Sequence, residues 1–145
     1  MNRIYRVAGH CFRATGEKIC QAIEQIAGFR PFECEDGEPL FEYTEGVVVP
    51  AMKKVQYTFS YEDVTGNFGR WDKGFLLTLK PEQEEAFQMW TEEGGKTVWL
   101  CGNWSVRLYR FAMWVGLGVM LLPYNVVAIH SSCIVYKNKA VLFLG

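Results

Sequence analysis

The segment Val55–Lys80, VQYTFSYEDVTGNFGRWDKGFLLTLK, decides the fold class. Its opening, VQYTFSYED (Val55–Asp63), alternates apolar and polar residues with period two, the pattern of a strand with one buried face. TGNFGRWDKG (Thr65–Gly74) supplies turn chemistry, and FLLTLK (Phe75–Lys80) reads as the next strand. PLFEYTEG (Pro39–Gly46) shows the same alternation upstream. Downstream, Pro81 followed by EQEE resembles a helix start with acids near its positive end, although AFQMW (Ala86–Trp90) reads equally as strand. EEGG then turns the chain into a further strand, KTVWLCG (Lys96–Gly102). Strands in succession joined by short turns predict an antiparallel, meander-like sheet.

The flanks add helices. RIYRVAGHCFRAT (Arg3–Thr15) reads as extended chain broken near Gly9, with Ile4, Val7 and Phe12 turned inward. In TGEKICQAIEQIAGF (Thr15–Phe29), Ile19, Ala22, Ile23 and Ile26 fall on one helical face, with Thr15 as cap and Gly28 as stop. After Asn103, WSVRLYRFAMWVGLGVMLL reads as a helix whose charges, Arg107 and Arg110, share one side. Its second half has no polar face and expects cover all round, and Pro123 ends it. NVVAI (Asn125–Ile129) reads as a buried strand, and SSCIVY-KNK-AVLFLG as a hairpin tipped by Lys137-Asn138-Lys139. The expected fold is α+β: a mainly antiparallel sheet with one amphipathic helix, followed by a buried helix and a β-hairpin. Residues 1–103 form an N-terminal α+β domain in this reading, and 104–145 open a second unit.

Composition narrows the function classes. Half of the 145 residues are hydrophobic and 15% are aromatic, enough to build a core. With a net charge of −1 and interspersed signs, there is no basic stripe to neutralise a phosphate backbone, so nucleic-acid binding is not expected. Phe111–Ile129 carries no charge, but Pro123 and Asn125 divide it and Gly116 and Gly118 weaken it, so a buried helix is expected rather than a membrane span. The five cysteines (Cys11, Cys20, Cys34, Cys101, Cys133) show no CxxC pair, and the N-terminus is no signal peptide. Reduced, mostly buried thiols in a cytoplasmic protein are expected, with no metal site.

His130 is the side chain best placed for chemistry, since it follows an apolar strand and precedes Ser131 and Ser132. Sequence neighbours on a strand point to opposite faces, which argues against an acyl-transfer triad. The closing stretch IHSSCIVYKNKAVLFLG (Ile129–Gly145) resembles the lead-in to the phosphate-binding loop of the HPr kinase/phosphatase-like and phosphoenolpyruvate carboxykinase-like superfamily. In that family a strand ends in a histidine, a hairpin follows, and an apolar strand runs into G-x-S-G-x-G-K-[ST]. The helix VRLYRFAMWVGLGVMLLP looks like the one that precedes this unit. The resemblance covers about the last quarter of the chain. It implies that Gly145 is the first glycine of a Walker A loop and that His130 stands beside the phosphates.

The resemblance further implies a parent protein that uses ATP and Mg to phosphorylate a hydroxyl, such as a serine on a protein or peptide. The loop lysine and Ser/Thr that hold phosphate and metal do not occur after Gly145. This chain is therefore expected to be a truncated N-terminal part that is not competent alone and has no cofactor of its own. The apolar 104–145 region expects cover and predicts self-association. The alternative is a free-standing peptide- or protein-binding adaptor that keeps a vestigial kinase hairpin.

Overall fold

The computed structural model describes residues 1–25, 29–129 and 131–144. The protein is α+β, with a large mixed but mostly antiparallel sheet and two α-helices among the described residues. The strands are β1 (Asn2–Val7), β2 (His10–Thr15), β3 (Glu33–Cys34), β4 (Phe41–Glu45), β5 (Lys54–Tyr61) and β6 (Val64–Trp71). They continue with β7 (Gly74–Pro81), β8 (Phe87–Glu92), β9 (Thr97–Gly102), β10 (Ser131–Tyr136) and β11 (Lys139–Leu144). The helices are α1 (Glu17–Gln25) and α2 (Val106–Leu121). Nine strands share one sheet in the order β3-β1-β2-β4-β9-β8-β7-β6-β5, and β10-β11 form a separate pair.

The meander expected from period-two alternation runs from β5 to β9, every neighbouring pair antiparallel. It contains one strand more than the sequence suggested. Thr65–Trp71, read as turn chemistry, is β6, and the turns are the dipeptides Glu62-Asp63 and Asp72-Lys73 on either side. Its glycines serve close approach rather than reversal. A Cβ on Gly66 would collide with the Phe59 ring directly across, and one on Gly69 would collide with the Lys54 carbonyl oxygen. The β5–β6 register shifts between Val55 and Tyr57, a bulge beside Gly69. The helix considered after Pro81 does not form; the acids lead into β8, the strand alternative.

β4 joins two halves of the sheet by parallel pairing, with β2 on one side and β9 on the other. Parallel neighbours require a crossover, and α1 supplies it between β2 and β4. From β4 the chain must reach the far edge. Residues 46–53 make that passage as a strap, touching Trp90 and Trp99 at Gly46 and the Gly69 site at Met52. Five strand spacings are about 24 Å, and the nine steps from Glu45 to Lys54 reach roughly 30 Å when extended, so the strap crosses with room for little more than its bend at Val47 and Val48.

Both helices lie on one face. In α1, Ile19, Cys20 and Ile23 are buried and Ala22 packs on the core, while Ile26 lies outside the described residues. Thr15 does not cap this helix: its hydroxyl reaches the Glu42 carboxylate, and the Gly16 carbonyl accepts from Cys20 N instead. Gly28, the expected stop, is also outside the described residues. In the first hairpin Tyr5 and Phe12 turn inward, directly paired and stacked at 5.3 Å, with Ala14 buried beside them and Val7 packed on the core as expected. Ile4 sits on the opposite face from Tyr5 because strand side chains alternate.

α2 starts at Ser105, whose hydroxyl accepts from Leu108 N. It lays Leu108, Tyr109, Ala112, Met113, Gly116, Leu117, Met120 and Leu121 on the sheet. At Gly116 helix and sheet come close: a Cβ there would sit 3.1 Å from the Tyr43 hydroxyl and 3.3 Å from Val98. Tyr43, fully buried, donates to the Met113 carbonyl at 2.7 Å. Val106–Tyr124 is long and apolar enough to cross a membrane by length and composition, yet its inner side is part of the same core as the sheet. Cover is not complete all round, since Phe111, Trp114, Val115 and Val119 are half-buried. Asn125–Ile129, expected as a buried strand, is irregular and largely exposed, with Val127 67% and Ile129 54% accessible.

Candidate functional site

The closing hairpin forms as its turn chemistry dictates. Lys137 and Asn138 both take positive φ (48° and 58°), a two-residue turn matched to strand twist. Lys139 is the first residue of β11 rather than part of the tip. The register runs from Tyr136↔Lys139 at the turn to Ser131↔Leu144 at the open end. His130 and Gly145, the residues on which the expected site turns, lie outside the described residues.

Alternation sorts the hairpin side chains onto two faces. Cys133, Val135, Ala140 and Leu142 share one; Ile134, Tyr136, Val141 and Phe143 share the other. Both faces are apolar, and both are open: Val135 is 77%, Tyr136 61% and Phe143 55% accessible. A strand pair buried on two sides carries that composition, whereas a half-solvated pair alternates. Among the described residues no strand of the large sheet pairs with it.

Among the described residues the open end of the hairpin carries no cation. Its lysines, Lys137 and Lys139, stand at the turn, remote from the open end, and Lys137 rests over the Tyr136 ring. Among the described residues, no group of three or more His, Cys, Asp or Glu is set to hold a metal ion. The described residues supply no ligand set for ATP or Mg, and His130 and Gly145 lie outside them.

The arginines of α2 divide. Arg107 is a clamp: it donates to both Asp63 carboxylate oxygens at 2.5 and 2.9 Å and to Glu62 at 3.1 Å. These hydrogen bonds hold the Asp63 carboxyl below the usual range and raise Arg107 above its own. The bidentate geometry pins the first turn of α2 to the β5–β6 turn. Arg110 is exposed. Nothing local in the sequence pairs residue 63 with residue 107.

A second polar cluster was not anticipated from the sequence. A cleft of about 310 Å³ is bounded by Arg3, Tyr5, Ile23, Glu24, Arg30 and Glu33. Arg3 is ion-paired with both Glu24 and Glu33. Burial, with the Glu33 charge adding to it, pushes the Tyr5 hydroxyl up to about 12. Two cations face two carboxylates there, so the cleft carries no net field to draw an anion.

All five cysteines are free; Cys11 and Cys20 are buried, Cys34 and Cys101 half-buried, and Cys133 exposed. The thiols are therefore less buried than expected. His10 stacks near Tyr124 at 5.4 Å and serves packing between β2 and the turn after α2.

No family model, curated protein or solved structure matches the chain.

Proposed function

We propose that the chain is the N-terminal part of an ATP-dependent phosphotransferase of the HPr kinase-like kind. Residues 1–103 serve as its N-terminal α+β domain, and 104–145 contribute the opening helix and hairpin of the kinase-like core, with that helix packed on the N-terminal sheet. The observation that carries this reading is the two-faced apolar hairpin standing outside the nine-stranded sheet. Two strands alone are marginal in water, and apolar side chains on both faces call for layers above and below. In the proposal those layers, the lysine and hydroxyl of the phosphate loop, and the acids that bind Mg come from polypeptide beyond Gly145. His130 stands beside the phosphates and Gly145 opens the loop. The phosphate acceptor is a serine hydroxyl on a protein or peptide, and the setting is cytoplasmic, in keeping with free cysteines.

Calorimetric titration with Mg-ATP tests the reading. The chain 1–145 is expected to give no heat of binding at micromolar nucleotide, and the complete reading frame is expected to bind. Micromolar affinity in 1–145 would overturn the requirement for the loop; no affinity in the complete protein would overturn the kinase assignment.

The same open hairpin faces favour a second reading, a free-standing adaptor that grips a peptide or protein. A natural stop codon directly after Gly145 would favour it over the first.

A further inference from the structure

We propose that β5 is a self-complementary edge through which two copies of this chain join their sheets. β5 ends the nine-stranded sheet and pairs only with β6 among the described residues. Alternate residues of such a strand turn their N–H and C=O groups away from the partner strand, offering a template to another strand. Edges are commonly blunted by proline, by a central charge or by irregularity. Val55–Tyr61 contains no proline and no charge. Its bulge, between Val55 and Tyr57, leaves Tyr57–Tyr61 regular.

Two observations select a second copy as the occupant. The first is charge. The edge begins with Lys53 and Lys54 and ends with Glu62 and Asp63, so it is basic at one end and acidic at the other. An antiparallel pairing about a two-fold axis at Thr58 sets the basic end of each copy against the acidic end of the other: past the bulge Lys54 comes alongside Tyr61, one position from Glu62. Their side chains still meet diagonally on the helix-bearing face: Lys54 is paired across from Arg70, and Glu62, in the turn after β5, reaches Arg107 of α2. Glu62 keeps 74% of its side chain accessible, enough to take a second cation.

The second observation is a row of rings. Tyr57, Phe59 and Tyr61 line the same face, with Tyr57–Phe59 stacked at 5.9 Å and Phe59–Phe111 at 5.2 Å. Tyr57, 65% accessible, is the uncovered end of that stack. The two-fold pairing sets Tyr57 of one copy beside Phe59 of the other, so the row continues across the junction. Cross-strand aromatic and opposite-charge pairs are the units that stabilise such a sheet. A contact of one strand against one strand is at the small end of interfaces, so the dimer is concentration-dependent.

Sedimentation velocity over a wide concentration range tests this on the whole chain, with charge variants as the discriminating arm. The wild type is expected to move from monomer to dimer as concentration rises. Lys54→Glu or Glu62→Lys alone weakens association by about tenfold, because each junction holds two such pairs. The double variant Lys54→Glu/Glu62→Lys restores it. A wild type that stays monomeric, or a double variant no tighter than the singles, overturns the proposal. Val135→Lys on the hairpin is expected to leave the dimer intact; loss of association in that variant would move the contact to β10–β11 and also overturn it. Nucleotide binding plays no part in these readouts, so the kinase reading stands or falls separately.

Discussion

The β5–β9 meander and the β10–β11 hairpin are built from the same local grammar, and they end in opposite environments. Both use short reversals and β-branched or aromatic residues. The meander lays Leu77, Leu79, Phe87, Met89, Val98 and Leu100 under α2, each almost inaccessible to solvent. The hairpin leaves Ile134, Val135, Tyr136 and Phe143 more than half exposed. Local propensity therefore accounts for the existence of each strand, while burial depends on what the chain can bring to its faces.

The widest contrast is expected on truncation of matched apolar residues. Phe87 of β8 is fully buried and packs its ring edge-on against Trp104 and Tyr109. Phe87→Ala should cost about 3–5 kcal/mol in denaturant unfolding. Val135→Ala should change stability by less than about 0.5 kcal/mol, as at other exposed positions. A comparable loss at the two sites would show that the hairpin is covered in solution and would break the contrast.

A smaller effect sharpens it within the core. Tyr43→Phe keeps the ring under Gly116 and removes the hydroxyl that donates to the Met113 carbonyl. The expected cost is about 1 kcal/mol, the net value of one internal hydrogen bond, read as a shift in denaturation midpoint without change in slope.

The smallest effect is electrostatic. Hydrogen bonding to Arg107 lowers the Asp63 carboxyl, so the native state holds its proton less tightly than the unfolded chain. The stabilisation is complete above the ordinary Asp value of 3.8. It fades as pH falls through the lowered native value. Because the pair is partly solvent-exposed, its share is small and weakens with salt. Asp63→Asn should remove that part of the acid dependence in thermal melts below the ordinary Asp value. An unchanged acid limb would show that the clamp does not form in solution.

Much of the fold was legible because period-two alternation and turn residues are local signals. The strands over Phe41–Glu45, Lys54–Tyr61, Gly74–Pro81 and Thr97–Gly102 follow from them. β6 was hidden because Gly66, Asn67 and Gly69 carry turn composition, while the glycines make room for Phe59 and the Lys54 backbone and Asn67 accepts from the Thr58 hydroxyl across the strand pair. The parallel seating of β4 between β2 and β9 has no local signal at all. The Arg107–Asp63 clamp and the Arg3–Glu24–Glu33 cluster were illegible for the same reason: they join residues far apart in sequence. As for the expected site, the hairpin leading to it was readable from Lys137-Asn138 and the flanking apolar runs. His130 and Gly145 rested on resemblance, and they fall outside the described residues.

The taut strap over residues 46–53 has a consequence for the order in which the protein assembles. Strands β5–β9 contact their sequence neighbours and can zip together early, since short loops close quickly. β4 must then find β9, which pairs residue 42 with residue 97, and the strap allows that docking only once the meander has its final width. Refolding should therefore be limited by the seating of β4. Lengthening the strap with flexible residues should change the rate of that step more than the equilibrium, since loop-closure entropy grows only slowly with length.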